Sequence, residues 1–120
     1  LKSYRVLDVG CNLGLFVMYA LNQGAIWAVG LDMTNVAKTA RKYMYKNGFS
    51  TFDILGVDLK SNLLLEYLPC KEFEFVFFMS IEGHIGFPSW LESIDFQYFL
   101  YEGHEGENIK KITNKIIKQK

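Results

Sequence analysis

A chain of 120 residues, half of them hydrophobic, with 13 basic and 13 acidic side chains, has enough apolar surface for one compact core and too much for disorder. Its zero net charge supplies no general field for gripping a phosphate backbone, so nucleic acid is unsupported as a partner. Two cysteines, Cys11 and Cys70, form neither a metal cluster nor a disulfide framework, and no apolar run reaches membrane-spanning length, so no membrane partner is expected and the setting expected is cytoplasmic and reducing.

Arg5 to Val9 is a short β-rich run, and residues 14 to 23 are apolar almost all round before Gly24. That pattern predicts a strand leading into a buried helix with a glycine stop. Ile26 to Leu31 is a second apolar run ending at Asp32, after which Thr34 can cap a helix with Val36, Ala40 and Met44 on one side, closed by Asn47 and Gly48. Phe52 to Val57 predicts a third strand ending at Asp58, and Leu63 to Leu68 a short helical segment stopped by Pro69. Phe73 to Met79 is apolar enough for a strand buried on both faces. A brief helix is expected between Phe87 and Ser93, a fifth strand over Gln97 to Tyr101, and a last helix from Asn108 with Ile109, Ile112 and Ile116 on one stripe and lysines opposite. Strands alternating with helices, without hairpin dipeptides, predict an α/β fold: a doubly wound, mainly parallel sheet with helices on both faces. The expected organisation is one domain over residues 1–120, part of a longer protein.

Doubly wound sheets hold ligands at the carboxyl ends of their strands, near the point where strand order reverses. Asp8, Asp32, Asp58, Glu82 and Glu102 all fall at or just past such ends. The bend after the first strand, "VLDVGCNLGLF", lets the backbone turn at Gly10 and bring a helix start close to a bound group at Gly14. It lacks the Gly-Lys-Ser or Gly-Lys-Thr of a phosphate loop, and its G-x-x-x-G spacing is not the dinucleotide G-x-G-x-x-G.

The D-x-G-x-x-x-G pattern resembles the first motif of class I S-adenosylmethionine-dependent methyltransferases, and the resemblance extends at pattern level over roughly residues 4 to 105. It implies a Rossmann-like sheet, here without its last two strands, and S-adenosylmethionine as cofactor. By the same resemblance Asp32 in "VGLDM", 18 residues after Gly14, holds the ribose hydroxyls and Met33 touches the adenine. Asp58 in "GVDL" faces the adenine amino group, with the Leu59 backbone N–H beside the ring. Asp8 reaches toward the methionine amino group, directly or through water, or else ties down the glycine bend. Gly10, Cys11, Asn12, Gly14 and Met79 complete the expected cofactor contacts. In the fourth strand Glu74 stands where the family usually has aspartate. A carboxylate rim suits a ligand carrying a sulfonium and an ammonium and disfavours a triphosphate.

The methyl acceptor, a small molecule or an exposed group of a macromolecule, is not readable: no Asp-Pro-Pro-Tyr motif follows the fourth strand, and Cys70 of the Pro69–Cys70 pair reads as a small hydrophobe. Two "EGH" tripeptides, Glu82–Gly83–His84 and Glu102–Gly103–His104, end neighbouring strands. His84 is the expected acceptor-side base; a divalent metal held by both tripeptides, and plain glycine turns with solvated polar residues, are the alternatives. Trp90, after Pro88 on a loop, is the candidate for an acceptor pocket, whereas Phe77 and Phe78 read as core. The apolar fifth strand predicts an exposed edge through which an oligomer could form. The competing functions are a non-catalytic module of the same fold and, on fold and Asp32 alone, an NAD(P)-dependent oxidoreductase.

Overall fold

The computed structural model of the chain describes residues 4–79 and 85–102. Five strands, β1 (Arg5–Val9), β2 (Trp27–Asp32), β3 (Phe52–Gly56), β4 (Glu72–Met79) and β5 (Asp95–Glu102), form one sheet in the order β3-β2-β1-β4-β5. Every neighbouring pair is parallel. The chain steps outward from β1 to β3, then crosses back to lay β4 on the other side of β1, so strand order reverses between β1 and β4. The crevice above that reversal is where the carboxyl ends of β1 and β4 diverge.

Two helices, α1 (Leu15–Asn22) and α2 (Thr34–Lys46), lie on one face. Val17, Met18, Ala20, Ala37, Ala40 and Met44 pack there against Val6, Ala28 and Ile54 of the sheet. The opposite face is covered by two short 3₁₀ segments, Asn62–Glu66 and Ser89–Ser93, which bring Leu64, Trp90 and Leu91 onto Leu7, Val9, Val29, Leu31 and Phe78. β1 and β2 run between the layers and are buried on both sides, as parallel central strands must be when helical cover lies above and below.

The expected elements are present with shifted ends. Thr34 is the first helical residue of α2, and Met33, in extended conformation, precedes it without a side-chain cap. The segment expected to be helical over 63 to 68 is a tighter 3₁₀ turn whose start is capped by the Ser61 hydroxyl accepting the Leu63 N–H at 3.2 Å. Two expectations of full burial are corrected. α1 leaves Leu15, Phe16 and Tyr19 exposed, and Phe75 and Phe77 of β4 are only half-buried. The reason is common to both: between α1 and β5, no described element covers the sheet, leaving an apolar groove of about 340 Å³ bounded by Tyr4, Tyr19, Phe75, Phe77 and Leu100. The last expected helix, from Asn108, lies outside the described residues. No helix among the described residues is long and apolar enough to cross a membrane.

Candidate functional site

The bend that follows β1 holds three residues with positive φ: Gly10 at 76°, Asn12 at 53° and Gly14 at 88°. Glycine adopts this region freely and asparagine is among the few side chains that tolerate it. The bend hangs on the end of β2. The Gly10 and Cys11 N–H groups both donate to the Leu31 carbonyl, at 2.8 and 2.9 Å. Asp32 supplies the side-chain anchor: its Oδ2 accepts the Asn12 N–H at 2.9 Å and its Oδ1 accepts the Met33 N–H at 2.8 Å. A Cβ at Gly14 would lie 2.8 Å from Sδ of Met44, so the helix start sits directly on α2. Sequence reasoning passed over Gly30, where a Cβ would come within 2.9 Å of Cys11; a glycine inside a central strand is the available signal for such close backbone approach.

Asp8 lies beneath the bend, 2% exposed, and its Oδ2 has no hydrogen-bond partner among the described residues. Burial, and secondarily the charge of Asp32, raises its pKa to about 8. The carboxyl is therefore neutral at pH 7 in the free protein. This revises the charge pattern expected of the strand ends, in which Asp8 counted as a carboxylate. The bend itself is held by the Asp32 carboxylate and the Leu31 carbonyl. Burial, with Asp8 and Asp32 adding to it, pushes the Cys11 thiol well up as well, so it stays a thiol and packs as a small apolar group.

Beside Asp32 opens a cleft of about 410 Å³, lined by Asp32, Met33 and Thr34 from the end of β2, by Val57, Asp58, Leu59 and Lys60 after β3, and by Ile85. The loop after β3 is held in place by its own bonds: Val57 N–H donates to the Asp32 carbonyl at 2.8 Å, Ser61 N–H to the Asp58 carbonyl at 3.0 Å, and Lys60 N–H to Oδ1 of Asp58 at 3.0 Å. The structure thus brings Asp32, Met33, Asp58 and Leu59 to one cleft, and the bend that carries Gly10, Cys11, Asn12 and Gly14 joins it through the bond from the Asn12 N–H to Asp32. Met79 is half-buried at the end of β4, paired in register with Glu102 of β5 rather than lining that cleft. Lys60 and Ile85 were missed. Ile85 had no sequence signal, because its place at the cleft is set by tertiary packing.

Three expectations are corrected or fall elsewhere. Trp90 is not an acceptor pocket residue: it is 1% exposed in the core, and its indole Nε1 donates to the Leu59 carbonyl at 2.7 Å. Glu74 sits at the opposite end of the sheet, accepting the Arg5 backbone N–H and pairing with the Arg5 guanidinium at 3.8 Å. Phe77, read as core, is half-buried and tilts against Phe16, whereas Phe78 is fully buried. His84 with the rest of its tripeptide, and Gly103–His104, lie outside the described residues. Among the described residues no group of three or more His, Cys, Asp or Glu could hold a metal ion.

A parallel sheet ordered 3-2-1-4-5, a glycine bend at the strand-order reversal and acids closing β2 and β3 constitute the fold of class I S-adenosylmethionine-dependent methyltransferases. Similar proteins agree. Protein arginine N-methyltransferase 1 of Saccharomyces cerevisiae is 41% identical over 49 residues, which are 41% of this chain and 14% of that protein. Among solved structures, the Trypanosoma brucei PRMT1 enzyme–prozyme heterotetrameric complex with AdoHcy aligns with a TM-score of 0.56 at 24% identity, over 63% of this chain and 23% of that one. An S-adenosylmethionine-dependent methyltransferase from Mesorhizobium loti aligns at TM-score 0.56 and 22% identity, over 70% of this chain and 36% of that one. The chain thus spans about a seventh of the yeast relative and a quarter to a third of these two structural neighbours. No family model matches it.

Proposed function

We propose that the chain binds S-adenosylmethionine in this cleft and takes part in transferring its methyl group to an acceptor. The observation that carries the reading is the Asp32 carboxylate, set at the end of β2 against a backbone bend and open to the cleft beside Asp58. Two further features fit the cofactor. The buried Oδ2 of Asp8 has no hydrogen-bond partner among the described residues, which suits a ligand bringing an ammonium to it. The bend turns at Gly10 and Gly14, where positive φ and the lack of a Cβ let the chain fold back sharply at the end of β1.

In this reading Asp32 accepts from the ribose hydroxyls, Asp58 and the Leu59 N–H hold the adenine edge, Met33 covers the ring, and Asp8 faces the methionine ammonium. The cofactor supplies a methyl already activated by a sulfonium, so the protein's part is to align an acceptor and, where needed, remove its proton. His84 is proposed for that proton. The acceptor class follows from no residue of the cleft.

A thermal-shift comparison of S-adenosylmethionine, S-adenosylhomocysteine, NADH and ATP tests the reading. Ligand at about a hundred times its Kd stabilises the folded state by about 2.7 kcal/mol. The two sulfur nucleosides are expected to raise the melting temperature and the others to leave it unchanged; stabilisation by NADH alone would establish the oxidoreductase instead.

Association with a second chain is proposed along β5. Among the described residues β5 is the last strand of the sheet, and its Tyr98 and Leu100 side chains are exposed. Unpaired strand edges with apolar side chains favour pairing. Size-exclusion chromatography is expected to show a dimer or larger with slowly exchanging amides over residues 97–101. A monomer whose amides there exchange fast would refute it.

A further inference from the structure

The segment between β4 and β5 grips the loop after β3 at two points. Trp90 donates its indole N–H to the Leu59 carbonyl at 2.7 Å, and the Ser89 hydroxyl meets Oδ1 of Asn62 at 3.1 Å. The Trp90 contact is buried and joins residues 31 apart in sequence, so it is a tertiary device rather than a local turn. Its target is one half of a peptide unit whose other half is already engaged. The Leu59 carbonyl and the Lys60 N–H belong to the same planar amide and point in opposite directions. On its far side that N–H donates to Oδ1 of Asp58 at 3.0 Å.

One rigid plane therefore links a buried indole to an exposed carboxylate in the cleft. If the plane rotates, the Lys60 N–H leaves Oδ1 and the Asp58 side chain loses its orientation. The loop's remaining bonds do not prevent this rotation: the Val57 N–H and the Asp58 carbonyl are held by Asp32 and Ser61, and both lie outside the Leu59–Lys60 plane. Among the described residues the Leu59 N–H makes no hydrogen bond, which leaves it free for a ligand.

We propose that Trp90 is a positioning residue for the cleft: through the Leu59–Lys60 amide it sets the Asp58 carboxylate, and so the cleft's discrimination for a nucleoside base bearing an exocyclic amino group. The inference rests on the S-adenosylmethionine reading and deepens it. Trp90 touches no ligand; it acts only through Leu59 and Asp58.

The test is a double-mutant cycle read by calorimetry with two ligands, S-adenosylhomocysteine and its deaminated counterpart S-inosylhomocysteine. Trp90→Phe retains an aromatic ring and removes the donor, leaving the Leu59 carbonyl unpaired. Losing one such bond is expected to weaken S-adenosylhomocysteine binding about tenfold, while affinity for the inosine ligand changes less than twofold. In an Asp58→Asn background the same change is expected to have little further effect, since the group it orients is already altered. Equal losses for both ligands, or full additivity with Asp58→Asn, would overturn the proposal and reduce Trp90 to a core residue. Should Trp90→Phe fail to fold, the Trp90 indole N–H resonance of the unaltered chain decides: it is expected to shift with S-adenosylhomocysteine and not with S-inosylhomocysteine, and the same shift with both would overturn the proposal. Failure of the unaltered chain to bind either ligand would instead strike the S-adenosylmethionine reading itself.

Discussion

Asp32→Ala is expected to lower affinity for S-adenosylhomocysteine by at least about a hundredfold, with only a small loss of stability. A carboxylate accepting from two ribose hydroxyls makes two charge-assisted bonds, each contributing about 1.5 to 3 kcal/mol, and about 1.4 kcal/mol corresponds to a factor of ten. The same side chain anchors the Asn12 and Met33 N–H groups, so the substitution also loosens the bend beneath the ligand. Those two bonds are exposed, and water can replace their acceptor, which is why unfolding should change little. Calorimetry on the variant measures the first effect and thermal melting the second. An affinity unchanged within threefold would remove Asp32 from the site. Asp32→Asn should fall between, because the amide retains one acceptor oxygen but introduces a donor pair facing the hydroxyls.

The second large effect is a pH dependence centred on Asp8. Its carboxyl has an ordinary pKa of 3.8 when unfolded and about 8 when folded, raised first by burial and then by Asp32. Between about pH 4 and 8 the unfolded chain has released this proton and the native chain has kept it, so the native state binds more protons. Stability attributable to Asp8 is then fully present below pH 4, declines by about 1.4 kcal/mol per pH unit across the window, and is lost above pH 8. Asp8→Asn removes the titration. The melting temperature of the unaltered chain, relative to that of the variant, is expected to fall steadily from pH 6 to pH 8.5; parallel curves would show that Asp8 is ionised in the folded state. Taking this difference cancels the other titrating groups.

Ligand binding should carry the opposite sign. An ammonium brought to the unpartnered Oδ2 favours the ionised carboxyl, so S-adenosylhomocysteine affinity should rise with pH toward 8 and binding should release a proton below it. Calorimetry in buffers of different ionisation enthalpy measures that proton. Asp8→Asn is expected to abolish the release and to weaken binding while stabilising the free protein at pH 8.5. Such an exchange of stability for affinity is common where a site holds an unsatisfied group ready for a ligand.

Much of this molecule was decided locally. The β-rich runs over 5–9 and 52–57, the glycine bend at 10–14 and the alternation of strands with helical segments each depend on neighbours in the chain. Backbone conformation and hydrophobic period act over a few residues, so they leave a readable trace. The parallel sheet, the acids at its strand ends and the class I methyltransferase resemblance followed from them. What each of those acids does depends on distance through space. Asp8, Asp32 and Asp58 look alike in sequence, yet one is buried and protonated, one anchors a bend, and one is oriented by a tryptophan 32 positions away. Trp90 looked like a loop aromatic because proline and serine surround it; only the packing of the Ser89–Ser93 segment under the loop after β3 turned it into core. Burial and proton affinity are set by which elements meet, and that is a property of the folded arrangement rather than of any stretch of residues.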